Sequence, residues 1–117
     1  LAQPCDPALP RTPAGLEARV ATYSALFSTI RTVRLTWTAD ASAAGYNLYR
    51  STMSHLNYQK TNSVPLTATS FTEKFYNPAL DYYYVVTAVG SGGRESNYSR
   101  EIRVQAGTTG SWTGSLR

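Results

Sequence analysis

Tyr82-Tyr83-Tyr84-Val85-Val86-Thr87-Ala88-Val89, followed by Gly90-Ser91-Gly92-Gly93, decides what kind of fold this chain adopts. Aromatic and β-branched residues dominate the run and favour a strand. Tyr82, Tyr84, Val86 and Ala88 share one face of a period-two repeat, and Tyr83, Val85, Thr87 and Val89 share the other. The glycines that follow supply turn chemistry. Working outward, the same period recurs. Val33, Leu35 and Trp37 alternate with Arg34 and Thr36, and Tyr46 and Leu48 with Asn47 and Tyr49. Leu16, Ala18 and Val20 alternate with Glu17 and Arg19, and Ile102 and Val104 with Glu101 and Arg103. The breaks fall at residues 40–44 and at Asn77-Pro78. Short alternating strands separated by such turns predict an all-β, two-sheet sandwich. Its expected core is Trp37, Leu35, Tyr46, Leu48, Tyr82, Tyr84 and Val86, with Val104.

A chain of 117 residues, 42% hydrophobic and 15% charged, suits one globular domain and is too apolar for a disordered one. The net charge of +4 comes from eleven basic residues against seven acidic ones. The basic residues are scattered and form no stripe, so no nucleic-acid partner is expected. No run approaches the ~20 apolar residues of a spanning helix, so no membrane insertion is expected. Cys5 is the single cysteine, which rules out an internal disulfide and leaves it free for an intermolecular one. Residues 1–13 hold Pro4, Pro7, Pro10 and Pro13 and read as an extended N-terminal tail. Residues 106–117, rich in Gly, Ser and Thr, read as a flexible C-terminal tail, leaving 14–105 as the domain. A start at Leu1 with no initiator Met reads as a processed product or an excerpt. Residues 24–32 fit this plan less well: Leu26, Phe27 and Ile30 have near-helical spacing and read either as a turn over one end of the sandwich or as an apolar loop offered to a partner.

The order of these elements over residues 13–105 resembles a fibronectin type III domain. Val33-Arg34-Leu35-Thr36-Trp37-Thr38 is similar to that family's second strand with its core tryptophan. Gly45-Tyr46-Asn47-Leu48-Tyr49-Arg50-Ser51 is similar to the third strand, Thr69-Ser70-Phe71-Thr72 to the fifth, and the run from Asn77-Pro78 to Val89 to the sixth. The resemblance implies seven strands in an immunoglobulin-like sandwich. It also places Tyr82 at the family's tyrosine corner, where its hydroxyl bonds backbone near Tyr76 or Asn77. The sequence departs from the family pattern in Tyr76, which stands where leucine is usual, and in the long, apolar first connection. An Arg-Gly-Asp tripeptide is absent; the corresponding loop reads Gly92-Gly93-Arg94-Glu95, which gives integrin adhesion no basis.

The residue set is poor in catalytic chemistry. His55 is the single histidine and sits in Ser54-His55-Leu56-Asn57 with no nearby acid, so no catalytic residue is expected. One His and one Cys fall short of a zinc ligand set, and Asp6, Asp40 and Asp81 are isolated, so no metal or cofactor is expected. Tyr49, Tyr58, Tyr83 and Tyr98 are expected on the outside or on loops, where they stack on sugar rings, anchor a protein, or pair across strands. Asn97-Tyr98-Ser99 has the form of a glycosylation acceptor. The resulting expectation is a non-enzymatic extracellular module, secreted or at the cell surface, that assembles with copies of itself through its tails. Trp112 and Leu116, ~13 Å apart on an extended tail, would dock on Leu26, Phe27 and Ile30 of a neighbour, with Cys5 available for a disulfide. The alternative is an accessory domain of a secreted enzyme that binds carbohydrate or acts as a spacer.

Overall fold

The computed structural model describes residues 9–24, 29–74, 80–105 and 110–113. They form two antiparallel sheets packed face to face, as the alternation predicts. The strands are β1 (Glu17–Ser24), β2 (Thr29–Thr36), β3 (Gly45–Ser51), β4 (Gln59–Lys60), β5 (Ser70–Lys74), β6 (Tyr82–Val89), β7 (Ile102–Val104) and β8 (Gly110–Thr113). One sheet has the order β5-β2-β1-β8 and the other β4-β3-β6-β7. The first seven strands make up the sandwich expected from the sequence, and β8 adds a further strand beside β1.

The core forms where the inward faces meet. Ala18, Val20, Val33 and Leu35 of one sheet pack on Leu48, Tyr84, Val86, Ile102 and Val104 of the other. Every core residue named from the sequence is buried. Trp37 follows β2, where its backbone N–H donates to the Thr69 carbonyl at 3.0 Å. Its indole meets the Tyr46 ring edge-on, at 5.6 Å between centroids and 65° between planes. The Tyr46 hydroxyl accepts from the Asp40 backbone N–H at 3.0 Å, so this tyrosine has a polar partner at the sandwich rim.

Three features differ from the plain alternating pattern. The first connection is largely strand: β1 and β2 pair continuously from Glu17↔Thr36 to Ser24↔Thr29, which includes the backbone of Ile30. Strand pairing there satisfies the backbone groups that a loop would leave open. Secondly, β6 is buried on both faces, with Val85, Thr87 and Val89 inaccessible as well as Tyr84 and Val86. The segment from Glu95 to Glu101 is responsible. The backbone N–H groups of Ser96 and Ser99 donate to the carbonyls of Ala88 and Val86, and their hydroxyls accept from the N–H groups of the same two residues. Gly93, at φ +90°, makes the turn that starts this return. Lastly, part of the proline-rich stretch lies on the domain. Pro10 and Pro13 are buried, and the Arg11 N–H donates to Ser42 Oγ at 2.9 Å.

A carboxylate also links the two sheets. Glu73 of β5 has the same parity as Phe71 and pairs in register with Val33, so it points inward. It accepts from Arg50 of β3 at 2.6 Å and from the hydroxyl of Tyr84 of β6. Burial and then the neighbouring Glu73 charge push the Tyr84 phenol far above its ordinary range, so it remains a donor. The guanidinium of Arg50 also lies 5.2 Å from the centre of the Tyr82 ring.

Candidate functional site: a tyrosine face on the second sheet

The outer side of the β4-β3-β6-β7 sheet gathers three of the tyrosines expected outside. Tyr98 stands between Tyr49 and Tyr58, with centroid separations of 5.3 and 4.9 Å and interplanar angles of 68° and 69°. Both contacts are edge-on, the arrangement that ring quadrupoles favour. The two flanking rings are tethered by carboxylates from the return segment. Glu95 accepts from the Tyr49 hydroxyl, from Thr87 Oγ1 at 2.6 Å and from Asn47 Nδ2 at 3.0 Å. Glu101 accepts from the Tyr58 hydroxyl, from Ser54 Oγ at 2.7 Å and from the His55 N–H at 2.8 Å.

Tyr98 itself is 50% exposed. Beside it lies an open groove of about 520 Å³, lined by Leu56, Asn57, Tyr58, Tyr98 and Arg100 with Val85 at its base. Leu56 is 54% exposed, and neighbouring Met53 is 50% exposed. The loop bearing Leu56 holds His55 and Asn57 at φ +59° each, a region that side chains other than glycine seldom adopt.

His55 meets an acid after all, brought by the fold and not by sequence proximity. Its Nδ1 lies 2.9 Å from Ser54 Oγ and 3.7 Å from Glu101 Oε1. The order is wrong for a nucleophilic triad, in which the acid and the hydroxyl occupy opposite ring nitrogens. Here both face Nδ1, and the serine hydroxyl donates to the carboxylate. Glu101 therefore acts as a staple for the strained loop. Among the described residues, no three His, Cys, Asp or Glu side chains gather as metal ligands.

Other residues singled out from the sequence are not brought to this face. The backbone of Trp112 belongs to β8, opposite Ala18 of the same chain, and that of Ile30 belongs to β2. Leu26, Phe27, Leu116 and Cys5 lie outside the described residues, as does the backbone near Tyr76 and Asn77 expected to bond Tyr82. Glu95 and Glu101 carry the geometry of the site, and neither is marked out by the alternation of the sequence. Their signal was slight: two acids bracketing a Ser-Asn-Tyr-Ser stretch that reads as loop.

These carboxylates give the face a pH dependence. Burial works to raise both pKa values, but hydrogen bonds to the charged forms outweigh it and hold both below the ordinary value. A depressed folded-state pKa contributes stability that is complete above the unfolded value, ~4.3 for Glu, and is lost as pH falls through the folded value. Thermal melts of the parent should thus stay level above about pH 5 and decline below about pH 4. The Glu95→Gln and Glu101→Gln double variant should melt lower at neutral pH and decline less on the acid side. An identical acid-side decline in the two proteins would show that these carboxylates are not the titrating groups.

No protein-family model matches the chain. An Fn3-like protein from Clostridium thermocellum is 34% identical to it, with a TM-score of 0.66, and the match covers 82% of this chain and 92% of that one. An amylopullulanase from Thermoanaerobacter thermohydrosulfuricus is 34% identical over 84 residues, which is 72% of this chain but 6% of that protein. A poly(3-hydroxybutyrate) depolymerase from Delftia acidovorans is 33% identical over 92 residues, 79% of this chain and 16% of that protein. The chain thus spans a small fraction of the length of the curated relatives it matches.

Proposed function

The chain belongs to the fibronectin type III-like family, and on that premise we propose that it is a non-catalytic accessory module of an extracellular polymer-degrading enzyme. The observation that carries this reading is the pair of partial matches. One segment type makes up 6% of an amylopullulanase and 16% of a poly(3-hydroxybutyrate) depolymerase. By name, one acts on a polysaccharide and the other on a polyester. A segment common to enzymes with such unlike substrates suits a task they share, which is spacing or presenting a catalytic domain at a polymer surface. Fold alone does not assign function, but the site agrees, because Glu101 holds Ser54 and does not activate it. Self-assembly through the C-terminal segment gains no support from Gly110–Thr113, which pairs with β1 of its own chain.

The test has two arms. The purified chain should release no product from soluble α-glucan or from poly(3-hydroxybutyrate). Fused to a glucanase catalytic domain, it should raise turnover on insoluble polymer and leave turnover on a small soluble substrate unchanged. Product release by the chain alone, abolished by Ser54→Ala, would overturn the reading.

A further inference from the structure

We infer that the groove beside Tyr98 is a binding site for a hexopyranose chain, with the Tyr98 ring as its stacking platform. This rests on the accessory-module reading and names the ligand class for it. The argument begins with what the groove offers. Its walls are apolar and aromatic, from Leu56, Tyr58, Tyr98 and Val85, and its rim is polar, from Asn57 and Arg100. A pyranose ring has the matching character, with one face of C–H bonds that settles on the electron-rich face of an aromatic ring and hydroxyls around the edge for polar partners. The volume of about 520 Å³ falls within the ~300–1,000 Å³ of small-ligand sites.

The platform is also fixed before any ligand arrives. Tyr98 is held between two rings whose hydroxyls are tied to Glu95 and Glu101, and these acids are anchored in turn by Asn47, Thr87, Ser54 and the His55 backbone. A ring that is half exposed and yet immobilised loses little freedom on binding. With the two carboxylates engaged by their own tyrosines, the exposed side chains of Tyr98 and Arg100, and of Asn57, whose Nδ2 donates only to the weak acceptor Met53 Sδ at 3.5 Å, are the groups placed to meet sugar hydroxyls. The positive φ at His55 and Asn57 fits the same picture, since strained backbone that is held by surrounding bonds concentrates at binding sites.

The experiment is a backbone-amide NMR titration of the full chain with maltoheptaose, and separately with cellohexaose. Saturable shifts confined to residues 56–58 and 98–100 are expected with at least one of them. Tyr98→Ala should weaken binding about 10-fold or more, the scale of one stacked ring, and Tyr98→Trp should restore it. Its amide spectrum outside the face should match the parent, which separates loss of the platform from loss of the fold. The site is overturned if neither sugar gives saturable shifts, if the shifts fall elsewhere, or if Tyr98→Ala binds as well as the parent. A silent titration beside an intact gain in the fusion assay sinks the site and spares the accessory reading. Product release by the chain alone sinks that reading whatever the titration shows.

Discussion

Trp37→Ala should lower the stability of the domain by roughly 3–5 kcal/mol, the usual cost of removing a large aromatic from a packed core. Against a typical total of ~5–15 kcal/mol, that is at least about a fifth of what holds a small domain folded. The size of the effect follows from position. Trp37 is 5% exposed, meets Tyr46 edge-on, and lies where β2 leaves its sheet and the backbone is pinned to Thr69. The indole Nε1 has no hydrogen-bond partner among the described residues. Trp37→Phe therefore gives up packing but no polar contact, and it should recover most of the loss. Urea denaturation of the three proteins checks this: a midpoint unchanged in Trp37→Ala would show that the tryptophan is not a core residue.

Glu73→Ala should cost roughly 2–3 kcal/mol, more than its position near the end of a short edge strand suggests. Two donors lose their acceptor together. The Tyr84 hydroxyl is on a fully buried side chain, and leaving such a group unpaired costs ~1–3 kcal/mol. The Arg50 side chain is 39% exposed, so water takes over much of its share, and the full cost of a broken buried pair, ~3–5 kcal/mol, does not apply. In the Tyr84→Phe background the same substitution should cost clearly less, since one stranded donor is gone. Equal losses in both backgrounds, measured as a double-mutant cycle, would sink the claim that Glu73 acts through Tyr84.

The sequence made the sandwich legible because its core is a period-two code written in large residues. Trp37, Leu35, Leu48, Tyr84 and Val86 leave little choice of face, and all of them are buried. The double burial of β6 was less legible. Thr87 and Val85 read as an outer face, and what covers them is an irregular return held by the serine hydroxyls of Ser96 and Ser99, which have no periodic signature. The tyrosine face was half legible. Tyr49, Tyr58 and Tyr98 could be placed outside, but their convergence depends on pairing between residues some 40 positions apart in the chain, such as Tyr49 with Glu95 and Tyr58 with Glu101. Alternation assigns a residue to a face and says nothing of which distant acid will find it. For the same reason His55 read as isolated, although the fold delivers Glu101 to it.

The register of β8 has a mechanical meaning. Glu17, where the chain enters β1, lies opposite Thr113, at the far end of β8, so the two ends of this pairing sit side by side. Tension between them opens Glu17↔Thr113 first, then Ala18↔Trp112, and so on to Val20↔Gly110, one pair at a time. That is a zipper geometry, which yields at far lower force than shearing the same pairs at once. The eighth strand therefore forms a releasable length of ~14 Å at strand rise, laid against a β1 that is paired on its other side with β2 along its whole length.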